Sequence, residues 1–242
     1  MMKRVVLALL SAVSPSPAHA ETVTIAVAAN FTALAEDLAE MFAAQTGHEP
    51  VLSFASTGQL YAQITQGAPY EVFLAADNER PRIAIEQGLA VAGTAFTYAV
   101  GRLVLYSPTL DVSAGEVVLQ EPFSKLAIAD PAAAPYGAAA IETLEALGLY
   151  EAIKGRLVTG ENISQTLQFV ETGNAELGFV AASQVVGRPH QWLVPADFHQ
   201  PIRQDAVLLK AGETNPAAVA FLDFLRSGEA VALIEAAGYD VP

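Results

Sequence analysis

Short apolar runs alternate along this chain with stretches whose apolar positions recur every three or four residues. Residues 23–27 (Val-Thr-Ile-Ala-Val) form a β-branched run that reads as a strand. Phe31, Leu34, Ala35, Leu38 and Phe42 then repeat at helical spacing, with Glu36, Asp37 and Glu40 turned outward and Gly47 as the stop. Residues 51–54 read as a second strand and 59–64 as a short helix ending at Gly67. The apolar run 72–76 is a third strand, and Pro81 sits early in a helix that stops at Gly88. The middle of the chain repeats the pattern. It predicts strands at 102–106, 126–129, 157–158 and 177–181, with helices at 138–147, near 150–154 and across Ile163, Leu167 and Val170. A strand at 206–209 and helices at 216–225 and 229–237 close the chain. Such an order specifies an α/β fold with mostly parallel sheets flanked by helices.

Four turns in this pattern share one design. Ala28-Ala29-Asn30-Phe31-Thr32, Phe54-Ala55-Ser56-Thr57-Gly58, Ala134-Pro135-Tyr136-Gly137 and Glu161-Asn162-Ile163-Ser164 each lead from a strand into a helix. Helix N-termini leave backbone N–H groups unpaired and carry partial positive charge, so each turn is a potential anion seat. Ligands in α/β folds sit beyond the carboxyl ends of strands, where these turns lie. None of the four contains lysine or arginine. Converging, they suit a small, fully ionised oxyanion held by neutral donors. Each residue also has a plainer role available: Asn30, Ser56 and Thr57 as helix caps, Tyr136 as packing.

Composition narrows the class. Lys3 and Arg4, the apolar stretch 5–13 and Ala18-His19-Ala20 form a signal peptide over 1–20, cleaved after Ala20, which directs the chain to the periplasm. Removing it leaves ten cations against twenty-six acids, and such a surface excludes nucleic acid as a partner. The chain has no cysteine, so disulfides and thiolate metal sites are excluded. His48, His190 and His199 lack metal-ligand spacing, and Asp77 and Asp130 read as braces at strand ends. There is no nucleophile elbow, no Walker loop and no dinucleotide fingerprint. A hydrolase built on Ser56 and a distant histidine is the enzymatic alternative.

In order along the chain, several pieces resemble the periplasmic molybdate-binding proteins of ABC importers. They are Ala28-Ala29-Asn30-Phe31-Thr32, Ser53-Phe54-Ala55-Ser56-Thr57-Gly58-Gln59-Leu60, residues 67–77, Ala129-Asp130-Pro131, Pro135-Tyr136-Gly137 and Leu177-Gly178-Phe179-Val180. The resemblance implies a type II two-lobe periplasmic-binding-protein fold that closes on molybdate or tungstate in the interlobe cleft. Its lobes would be 21–99 plus 204–242, and 100–203. The implied ligand contacts are Asn30, the Ser56/Thr57 turn, Tyr136 and the backbone of Ile163, with no direct metal ligand and no cofactor. The implied partner is an inner-membrane ABC permease, served by a monomeric receptor. Many family members carry serine in place of Asn30 and tyrosine in place of Ala181; here a tyrosine hydroxyl stands instead at Tyr136. Other small oxyanions such as sulfate or phosphate are the alternative cargo.

Overall fold

A computed structural model describes residues 20–242. The signal peptide expected over 1–20 therefore lies outside the described residues, save Ala20. Two five-stranded sheets organise the chain. The first is ordered β2-β1-β3-β10-β4, from β1 (Thr22–Ala28), β2 (Glu49–Ala55), β3 (Val72–Leu74), β4 (Phe96–Gly101) and β10 (Ile202–Leu208). The second is β7-β6-β8-β5-β9, from β5 (Leu103–Tyr106), β6 (Leu126–Ala129), β7 (Leu157–Gly160), β8 (Leu177–Ala181) and β9 (Gln191–Leu193). In each sheet four strands run one way and a single strand, β10 or β5, runs against them.

Both faces of each sheet are covered, which is why the strands read as continuous apolar runs. On β1, Val23, Ile25 and Val27 enter one core while Ala26 enters the core on the opposite face. In the second sheet Leu103 and Leu105 face one core and Val104 and Tyr106 the other. Helices α1 (Thr32–Thr46), α7 (Pro216–Leu225) and α8 (Gly228–Ala236) cover one face of the first sheet through Leu38, Phe42, Phe221 and Ile234. Helices α2 (Thr57–Thr65) and α3 (Glu79–Glu86) cover the other through Leu60, Ile64 and Ala84. The second sheet is flanked by α4 (Pro135–Ala146) and α5 (Tyr150–Ile153) on one side and α6 (Ile163–Glu171) on the other.

The chain leaves the first sheet at Arg102, between β4 and β5, and returns between Leu193 and Ile202. Residues 100, 101, 202 and 203 pair within the first sheet, although the sequence-based boundary assigns them to the second lobe. Strand β4 was not expected, because it abuts β5 with one residue between them, leaving no room for a loop beyond Gly101. The three-residue edge strand β9 is also additional; Trp192 pairs there with Leu105.

Candidate functional site

Four helical starts converge where the lobes face each other, each following a strand's carboxyl end. At α2, Ser56 is the N-cap: its Oγ accepts from the Gln59 N–H (3.4 Å), and Gln59 Oε1 accepts from the Ser56 N–H (3.2 Å). This reciprocal capping, with the Gly58 N–H donated to the Ala133 carbonyl, leaves the Thr57 N–H without a protein acceptor among the described residues. At α6 the Asn162 Oδ1 takes the N–H groups of Ser164 and Gln165, both at 3.0 Å, and the Ile163 N–H is left over. At α4, Pro135 occupies the first position and has no N–H, so Tyr136 supplies the spare donor. The Asn30 N–H, in the single helical turn Ala29–Phe31 before α1, is likewise without a partner among the described residues.

Asn30, Ser56, Thr57, Tyr136 and Ile163 line one small cavity of about 10 Å³. The sequence places Pro135-Tyr136-Gly137 before a helix at 138; the structure makes it the first turn of α4, so Tyr136 lines the seat from a helix start. All five residues are buried, from 1% exposed for Thr57 and Tyr136 to 6% for Asn30. Among the described residues, no lysine, arginine, histidine or carboxylate lines the cavity. Glu161, next to the α6 cap, is exposed and lies off the wall.

The hydroxyls add to the amides. Thr57 Oγ1 accepts from the Ala76 N–H at 3.0 Å, which leaves its proton to donate. Tyr136 Oη accepts from Gln204 Nε2 at 3.2 Å, so its proton too is spare. Burial holds the Tyr136 phenol well above its ordinary pKa, and the nearby Tyr239 and Tyr98 phenols act in the same direction. The ring therefore stays protonated, as a donor, near neutral pH. Asn30 is not the side-chain helix cap that its position suggests. Its side chain makes no cap bond, and its carboxamide donates to Gln204 Oε1 (2.8 Å) and Tyr239 Oη (3.1 Å). What Asn30 offers the cavity is its backbone N–H.

Polar bonds close the lobes around this seat. Gly58 N–H donates to Ala133 O at 2.8 Å, Arg80 Nη2 to Ala132 O at 3.0 Å, and Ser164 Oγ to Ala29 O at 3.0 Å. Ser183 Oγ donates to Tyr239 Oη at 2.9 Å. Asp77 accepts from the Arg80 N–H at 2.9 Å and Asp130 from the Ala132 N–H at 2.9 Å, the bracing roles their positions suggest. His48 stacks on Phe42, while His190 and His199 lie away from the cavity, so among the described residues Ser56 has no histidine beside it. Among the described residues no group of three or more potential metal ligands is found. An uncharged wall whose spare polar groups are donors can hold an anion that carries no proton of its own, and among the described residues it brings no carboxylate or histidine to Ser56 as a base.

A sequence profile described as bacterial extracellular solute-binding protein matches residues 23–240. The chain belongs to this family. Molybdate-binding protein ModA of Rhodobacter capsulatus is 52% identical over 226 residues, covering 92% of this chain and 90% of the relative. Molybdate-binding protein ModA of Azotobacter vinelandii is 49% identical over 245 residues, 98% of this chain and 97% of that one. A solved periplasmic molybdate-binding protein of A. vinelandii aligns with a TM-score of 0.87 at 39% identity, covering 91% of this chain and 99% of that chain. The fold is the two-lobe periplasmic-binding-protein fold, and this solute-binding protein is a receptor rather than an enzyme.

Sequence reasoning missed the polar residues behind the seat: Gln204, Tyr98, Tyr239 and Ser183. Gln204 is wholly buried on β10, two residues before the stretch read as a strand. The polar start Arg203-Gln204-Asp205 hid the strand, and a glutamine inside an otherwise apolar sheet was the available signal.

Proposed function

We propose that this protein is a periplasmic receptor that binds molybdate, and tungstate alike, and delivers it to an ABC import permease in the inner membrane. The observation that carries this reading is the donor-only cavity: four spare backbone N–H groups and the hydroxyls of Ser56, Thr57 and Tyr136, with no cation and no carboxylate. Molybdate near neutral pH is a dianion without protons, so every oxygen accepts and only donors are useful. Phosphate keeps a proton at that pH and needs an acceptor, which the wall does not offer as a carboxylate. Sulfate is also proton-free but smaller, so size rather than protonation has to separate it from molybdate. The relatives named as molybdate-binding proteins over nearly the whole chain support the same cargo.

In this reading Asn30, Thr57, Tyr136 and Ile163 bind through backbone N–H groups, and Ser56, Thr57 and Tyr136 through hydroxyls. The lobes are 21–101 plus 202–242, and 102–201, with the oxyanion in the cleft as cargo rather than cofactor. The receptor is exported, cleaved after Ala20, and acts as a monomer. Calorimetry on protein stripped of ligand tests the assignment. Molybdate and tungstate should bind far more tightly than sulfate or phosphate. Equal affinity for phosphate, or heat only with sugars or amino acids, would sink it.

A further inference from the structure

Gln204 sits at the centre of a buried polar network that the binding seat itself does not include. Its side chain is fully enclosed, on β10 at the register shift opposite β4. Its Oε1 accepts from Asn30 Nδ2 at 2.8 Å, and Tyr98 Oη stands 3.2 Å from the same oxygen, its one proton shared with the Ala75 carbonyl at 3.1 Å. Its Nε2 donates to Tyr136 Oη at 3.2 Å. Gln204 belongs to the first sheet and Tyr136 to α4 on the second, so this last bond crosses between lobes.

The direction of that bond matters. A phenol has one proton, and an oxygen that already accepts from an amide is free to spend that proton elsewhere. With Oε1 turned to Asn30 and Tyr98, the amide nitrogen of Gln204 is turned to Tyr136. The Tyr136 proton is thereby left for the cavity, where the spare amides of Asn30, Thr57 and Ile163 are donors too. Were the amide reversed, the same phenol would donate to Gln204 and present a lone pair to an anion. Glycine at 101 belongs to the same arrangement, since a Cβ there would lie against the Tyr136 hydroxyl and 2.7 Å from Gln204 Nε2.

We propose that Gln204 is a positioning residue for anion binding: its carboxamide, fixed by Asn30 and Tyr98, orients the Tyr136 hydroxyl as a donor toward the ligand once the lobes close. This rests on the oxyanion reading of the cavity. Tyr98 and Asn30 act on the ligand through Gln204, and Gln204 through Tyr136.

Two variants of the full mature chain test it, with molybdate as the probe and calorimetry and thermal melts as readouts. Gln204→Glu preserves shape. Ionised, its carboxylate only accepts, so the Tyr136 proton turns away from the cavity beside an added negative charge. Protonated, it regains a donor. Burial and a neighbouring dianion raise the carboxyl's pKa, so binding should be weak near pH 8 and recover as pH falls toward 6, while the parent stays flat. Binding equal to the parent at pH 8, or a loss of the same size at both pH values, would overturn the proposal. Gln204→Met, which keeps volume and removes both polar atoms, decides the matter where the glutamate variant does not fold. It should weaken binding by about tenfold or more, as the loss of a hydrogen bond to a charged ligand does. Combined with Tyr136→Phe it should weaken binding no further than the worse single variant, because both changes remove the same donor. Losses that multiply would assign Gln204 a purely structural part. A parent chain that binds no molybdate overturns the oxyanion reading and this inference together; a parent that binds with unaffected Gln204 variants overturns this inference alone.

Discussion

Tyr136 carries two duties that a phenylalanine would separate. Its ring is buried in the second core, and its hydroxyl alone reaches the polar network behind the seat. Tyr136→Phe keeps the ring and removes one bond to a charged ligand, a contribution of about 1.5–3 kcal/mol, so affinity should fall by roughly ten- to a hundredfold. The variant also strips Gln204 Nε2 of its acceptor in the closed state, where an unpaired buried donor costs about 1–3 kcal/mol. In the open state water can reach that amide. The thermal midpoint without ligand should therefore move little while calorimetric affinity drops, and a variant that binds as tightly as the parent would make Tyr136 a packing residue. Ala181, where many relatives of the resembled family carry tyrosine, offers no second route to the hydroxyl. It is fully buried at the end of β8, paired with Leu103, and does not line the cavity. A tyrosine there would overpack the core rather than donate to the seat.

At the scale of elements, Gly101 shows how little space the junction between the sheets allows. It ends β4 with ordinary backbone angles, so glycine is required by close approach and not by a left-handed turn. Gly101→Ala should weaken molybdate binding by about tenfold or more, since a methyl group displaces a hydroxyl worth that much to a charged ligand. Calorimetry checks it, and unchanged affinity would mean that the Tyr136 ring has room to retreat. Most elements around this junction were legible beforehand. The β-branched run at Val23 to Val27, the 3.6-residue spacing from Leu34 to Phe42 and the small polar turns at Ser56 and Asn162 each state a local preference that the fold keeps. Strand β4 was not legible, because Phe96–Gly101 runs into the next strand with only Gly101 and Arg102 at the junction, too short a break to mark two strands. The five expected site residues do come together, as their shared place after strand ends implies. The network behind them was hidden for a different reason. Gln204, Tyr98, Tyr239 and Ser183 come from four distant segments, and only tertiary contact gives them a common purpose.

For the whole molecule, the chemistry that favours an oxyanion also decides when the cleft is closed. The interlobe bonds at Gly58, Arg80, Ser164 and Ser183 are of the ordinary kind, each contributing about 0.5–1.5 kcal/mol net. Against them stand the donors turned into a buried cavity, each costing about 1–3 kcal/mol if left unmade. Water is a poor substitute for the ligand there, because a wall of donors cannot accept water's own protons. An oxyanion has acceptors on every side and no proton to place, so it satisfies both lobes at once. Since it meets the full donor set only in the closed form, it must shift the population toward closure. Small-angle scattering of the stripped mature chain should therefore give a larger radius of gyration than the same protein with saturating molybdate, and sulfate at equal concentration should leave most of that difference in place. An identical profile with and without molybdate would mean that the lobes stand closed on their own bonds, and that the cost of the unmet donors is smaller than the geometry of this cavity implies.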